Sequence, residues 1–146
     1  MLTVVVEAGE ASERLAGLLA QLTSAAIDGL VREVVIAGGG PLELLSVLRE
    51  ETGAELAGDL GAAIAQAKSA RLLILPASLT LRADWLAALG RHLRGGGGDA
   101  LLVGEGGPLS RRRYGVLIGR AAVSGLAHPD LKRVRRHLAR SAVRLA

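Results

Sequence analysis

Short apolar runs separated by stretches of helical periodicity constrain this chain most. Val4-Val5-Val6, Val34-Val35-Ile36, Leu72-Leu73-Ile74-Leu75, Leu101-Leu102-Val103 and Val116-Leu117-Ile118 are continuous hydrophobic segments. Runs this short and this uniformly apolar read as strands buried on both faces, the condition met in parallel sheets covered by helices. Between the first two runs the spacing changes, with Leu15, Leu18, Leu19 and Leu22 placed for one face of a helix. The alternation predicts an α/β fold, a three-layer α/β/α sandwich around a mostly parallel sheet.

Glycine and proline mark where these pieces stop. Gly38-Gly39-Gly40-Pro41 closes the second run and leads into Leu42, Leu45, Val47 and Leu48, a helix ending near Gly53. Ser12 with Glu13 is suited to cap a first helix over 12–22, and Ala54-Glu55-Leu56 reads as a third, short strand. An alanine-rich helix is expected from Leu60 to Ala70. Pro76 ends the fourth strand, and Ser78 and Thr80 are placed to start a helix from Leu81 to Leu93 with Trp85, Leu86 and Leu89 inward. Gly95 to Gly98 form a loop, and Gly104, Gly106 and Gly107 another. From Asp130 onward Leu131, Val134, Leu138 and Val143 to Leu145 mark a final basic helix over about 130–146.

At 146 residues the chain fits a single domain, 1–146, able to bury roughly two thirds of its unfolded surface. Trp85 and Tyr114 are its only aromatic residues, so an aromatic platform for stacked bases is excluded. The absence of cysteine excludes disulfides, thiolate metal sites and thiol nucleophiles. His92, His128 and His137 are too scattered for a metal site. Charged residues interrupt every apolar stretch, so no transmembrane segment is expected and the reading is cytoplasmic.

Residues 1–110 carry 8 Lys/Arg and 13 Asp/Glu, whereas 111–146 carry 10 Lys/Arg against Asp130 alone. Such asymmetry suits a polyanionic neighbour for the carboxyl end, whether nucleic acid, an anionic membrane face or an acidic protein surface, with a solvated helix face as the alternative.

In order and spacing these segments resemble the family 2 glycosyltransferases of the GT-A fold. Leu2-Thr3-Val4-Val5-Val6 with Glu13-Arg14-Leu15 is similar to the family's opening strand and acid-bearing helix start. Arg32-Glu33-Val34-Val35-Ile36-Ala37 resembles its second strand, but Gly38-Gly39-Gly40-Pro41 stands where members carry Asp-Asp-Gly-Ser. Gly61-Ala62-Ala63-Ile64-Ala65-Gln66-Ala67, Leu72 to Ser78 and Trp85-Leu86 resemble a helix, a strand ending in Asp-x-Asp, and a Trp-Leu helix. Pro76 and Ser78 occupy the metal-binding positions. Gly115-Val116-Leu117-Ile118-Gly119-Arg120 is similar to the late strand leading to the acceptor side, after which only Asp130 is left as a candidate base.

The resemblance implies a nucleotide-sugar site in which one acid pair contacts the nucleoside and the other holds a cation that offsets charge on the departing diphosphate. With both pairs replaced, the expectation is a catalytically inactive relative without a metal cofactor. It would act through a protein partner or homodimer, or through weak anion or nucleotide binding. The candidate nucleotide- or phosphate-binding residues are Glu7, Gly38, Gly39, Gly40, Ser78, Arg111, Arg112 and Arg113. The glycines offer backbone amides and the arginines bidentate donors. One alternative is an active, metal-independent transferase using a nucleotide-sugar donor, with Arg111 to Arg113 replacing the cation and Asp130 or Glu105 as base. Another is a nucleic-acid or membrane-surface module built on the basic tail.

Overall fold

The computed structural model describes residues 1–9, 14–38, 41–105, 114–138, 140 and 142–145. The elements in chain order are β1 (Leu2–Glu7), α1 (Leu15–Ile27), β2 (Val31–Ala37), α2 (Leu42–Thr52), β3 (Glu55–Ala57), α3 (Leu60–Gln66) and β4 (Arg71–Pro76). They are followed by α4 (Trp85–Arg94), β5 (Ala100–Val103), β6 (Tyr114–Gly119), α5 (Arg120–Val123), α6 (Leu131–Arg135) and β7 (Val143–Leu145). The strands form a seven-stranded sheet in the order β3-β2-β1-β4-β6-β5-β7. Strands β1 to β4 pair in parallel, β6 runs antiparallel to both β4 and β5, and β7 is parallel to β5.

The apolar runs become strands because helices cover both of their faces. Leu72, Leu73, Ile74 and Leu75 in β4 are all fully buried, and burial of such side chains contributes roughly 1.5–3 kcal/mol each. One face packs Val4, Val6, Leu73 and Leu75 against Leu15, Leu18 and Leu22 of α1, Leu45 and Leu48 of α2, and Trp85 and Leu89 of α4. The other packs Val5, Val35, Leu72 and Ile74 against Leu60, Ala63 and Ile64 of α3, Val123 of α5 and Val134 of α6. These two faces give the expected three layers.

Some boundaries move for local reasons. The cap expected at Ser12 and Glu13 lies outside the described residues, and α1 runs on to Ile27. The alanine-rich helix stops at Gln66, because Ala67 turns extended with φ −61° and ψ 134°. Gly53 ends α2 in the left-handed region at φ 73°, as its position suggested. Residues 78–82 do not start α4. Instead the Gln21 amide holds this segment from α1, accepting from Leu81 N–H (3.4 Å) and donating to Leu81 O (3.3 Å).

The helix expected over 130–146 is corrected. Only Leu131–Arg135 is helical as α6, with Val134 fully buried on the sheet, and the chain later pairs Val143–Leu145 with β5. Three residues alternating apolar and polar serve the open side of β5 better than a longer helix would, because β7 satisfies backbone groups there. The Arg135 guanidinium lies 4.5 Å from the Tyr114 ring centre, so part of the basic charge is packed against the chain itself. No helix among the described residues is long and apolar enough to cross a membrane.

Gly104 follows β5 where the chain passes close to the segment after β4. A Cβ built at Gly104 would stand 2.8 Å from Thr80 O and collide with Leu79 Cδ1, whereas one at Gly98 would meet nothing within 4 Å. Gly104→Ala is therefore expected to lower the unfolding free energy by about 1–3 kcal/mol in urea denaturation. Gly98→Ala should stay within about 0.5 kcal/mol of the wild type.

Candidate functional site

Parallel pairing brings three strand ends to one level. In the register Glu7 faces Ala37 of β2 on one side and Pro76 of β4 on the other. The ladder continues one step further, with Ala8 N–H donating to Ala37 O (2.9 Å), Ala77 N–H to Glu7 O (2.9 Å) and Gly38 N–H to Ala57 O (3.1 Å). This carboxyl rim is where open α/β sheets bind ligands. Its first side-chain positions are one carboxylate, one methyl group and one pyrrolidine.

A groove of about 540 Å³ opens at this rim, with Glu7, Ala37 and Gly38 on the sheet side, Asp59 and Leu60 at the start of α3, and Pro129 on the far wall. Each wall has a local cause. Glu7 continues the alternation of Thr3 and Val5, so its side chain points to the α3 side of the sheet. Gly38 has φ +95°, a conformation that only glycine adopts readily, and a Cβ there would meet nothing within 4 Å. The glycine is needed for the turn, not for space. Asp59 caps α3, its carboxylate accepting from Ala62 N–H at 2.7 Å.

Glu7 is the electrostatically distinctive residue. Its Oε2 atom is buried with no hydrogen-bond partner among the described residues. Burial pushes the Glu7 carboxyl above its ordinary value of 4.5, the Asp130 carboxylate pushes it the same way, and the Leu131 N–H lowers it in part. Asp130 in turn caps α6, accepting from Arg133 N–H at 2.8 Å.

Glu7 and Gly38 thus meet in one groove, with Asp130 close enough to Glu7 to repel it. Ser78 is half-buried beyond the end of β4 and is not part of the groove wall. Gly39, Gly40, Arg111, Arg112 and Arg113 lie outside the described residues. Thr80 accepts from the Arg14 guanidinium (3.3 Å), and Glu105 lines a different depression with Arg82, Ala83 and Asp84. Sequence reasoning missed Asp59, although an aspartate directly before an alanine-rich helix is a recognisable cap signal.

The positions at the end of β4 do not fit a divalent cation. Pro76 and Ala77 carry no side-chain oxygen, Ala77 is buried, and Ser78 offers a single hydroxyl where a hard cation takes several oxygen ligands. Among the described residues no group of three His, Asp or Glu side chains is disposed to hold a metal.

The sheet order, the antiparallel β6 and the two helical layers define a GT-A-like, glycosyltransferase-like α/β fold. The chain matches no family model and no curated protein sequence. Among solved structures it is similar to glucosyl-3-phosphoglycerate synthase from Mycobacterium tuberculosis, crystallised with Mn2+, uridine diphosphate and glucosyl-3-phosphoglycerate. That likeness covers 99% of this chain and 70% of that one, with a TM-score of 0.67 and 16% sequence identity. At this identity the likeness is one of fold.

Two outcomes test the site. A carboxyl raised in the folded state gives stability that is complete below the unfolded value and is lost as pH rises through the folded one. Glu7→Gln is therefore expected to raise the melting temperature near neutral pH, with the gain vanishing below about pH 4.5, as thermal unfolding across pH would record. Asp59→Ala removes the α3 cap and should cost about 1 kcal/mol in denaturant unfolding.

Proposed function

We propose that this chain is a glycosyltransferase-like domain that carries out no metal-dependent sugar transfer and works by binding. Its ligand is a partner protein, or weakly a nucleotide or other anion, at the carboxyl rim of the sheet. The observation that carries this reading is the chemistry of the two strand ends beside Glu7. Gly38 closes β2 and Pro76-Ala77-Ser78 closes β4, leaving these two strand ends without the carboxylates that would grip a cation and neutralise a departing diphosphate.

The open groove supports retained ligand binding, because its walls of Ala37, Leu60 and Pro129 are apolar and its polar groups are few. Its own charge favours the nucleoside end of such a ligand over the phosphates. Among the described residues, Glu7 and Asp59 are the ionisable groups in its wall, and both are acidic. Any contact to phosphate falls to groups outside this groove, for which Arg111 to Arg113 remain the candidates.

Calorimetric titration with UDP, GDP and their sugar conjugates, with and without Mn2+, tests the reading. The expected result is weak binding that the metal does not change, and no sugar release or transfer on prolonged incubation. Metal-dependent binding accompanied by turnover would refute the silent reading and favour an active transferase.

A further inference from the structure

We propose that residues 127–130 are a strap across the groove, held closed over Glu7 while that carboxyl group carries a proton. As a regulatory device the strap rests on the groove being the binding site, but its motion does not.

The strap lies on the groove through few attachments. Pro129 forms the far wall, and its ring sits on the first turn of α3, 3.4 Å from where a Cβ on Gly61 would stand. The Leu131 N–H is close enough to the Glu7 carboxyl to favour its ionised form in part. Its other bonds are local, with Arg133 Nη1 donating to Ala127 O (2.7 Å) and Leu126 N–H to Val123 O (3.4 Å). His128 holds φ +46°, a left-handed conformation that costs a non-glycine residue roughly 1–2 kcal/mol. Ala127, His128 and Asp130 are exposed. Leu126 and Leu131 pack on the sheet at the strap's two ends, so the strained, exposed turn between them can be displaced without disturbing the core.

Charge decides which way it moves. The charged groups that act on Glu7 or share its groove are Asp130 from the start of α6 and Asp59 from the start of α3, and His128 lies within the strap itself. The neighbouring strand ends contribute only Ala37, Gly38 and Pro76. With Glu7 ionised, closure buries an oxygen that has no partner and sets two like charges against each other. With Glu7 protonated, the repulsion disappears and the cost of burying the carboxyl group falls. The closed state therefore binds more protons than the open one, and rising pH opens the groove.

Ligand-free NMR titration of the full chain from pH 4 to 8 tests this. The expected result is that the Glu7 carboxyl carbon and the Leu131 and Gly61 amides move through one common midpoint above 4.5, with exchange broadening at 126–131 increasing beyond it. In Glu7→Gln those amides should keep their low-pH positions throughout. His128→Asn, which tolerates the left-handed turn, should retain the transition. Amides that stay still, that titrate unchanged in Glu7→Gln, or that stop titrating in His128→Asn would each overturn the strap. Because no ligand is present, failure here leaves the nucleotide reading to its own titration.

Discussion

The parallel pairing of β1 between β2 and β4 is the constraint on which the rest of the structure depends. It fixes Glu7, Ala37 and Pro76 at the same height, so whatever those positions carry becomes the floor of the site. The register is enforced by burial. Val5 and Ile74 face α3 while Val6 and Leu75 face the opposite layer, and a slip by one residue would exchange the two sets and bring Glu7 into the layer beneath α1. The core and the site are therefore specified by the same hydrogen-bond ladder.

A rigid rim of this kind amplifies small changes in sequence. Had the strand ends carried carboxylates, the sheet would have held them in place for a cation without further cost in order. It holds a glycine and a proline just as firmly. What is left is an apolar groove with a carboxyl group whose buried oxygen has no partner among the described residues and whose neighbour, Asp130, has the same charge. Such a group is destabilising at neutral pH, which is the pattern expected where an environment is kept for binding or switching rather than for stability.

Strands β1, β2, β4, β5 and β6 were legible because each holds a continuous apolar run bounded by glycine, proline or a change of period. The same holds for α1, α2 and the buried face of α4, whose leucines keep helical spacing. The carboxyl end was misread because Leu131, Val134 and Leu138 do keep that spacing. The pattern of Val143-Arg144-Leu145 is too short to identify as a strand until β5 supplies its pairing edge. The short α5 had no periodic signal. For the site, Glu7 and Gly38 could be placed from the strands they terminate. The approach of Asp130 to Glu7, more than a hundred residues apart in sequence, is set by tertiary packing, and no local pattern encodes it.

Among the described residues, the ends of β2 and β4 carry no carboxylate with which to grip a doubly charged ion. Electron paramagnetic resonance of Mn2+ titrated into the protein with UDP present reads that directly. The spectrum should remain that of the ion with nucleotide alone at every protein concentration. A protein-dependent signal with oxygen coordination, abolished by substitution at the ends of β2 or β4, would contradict it.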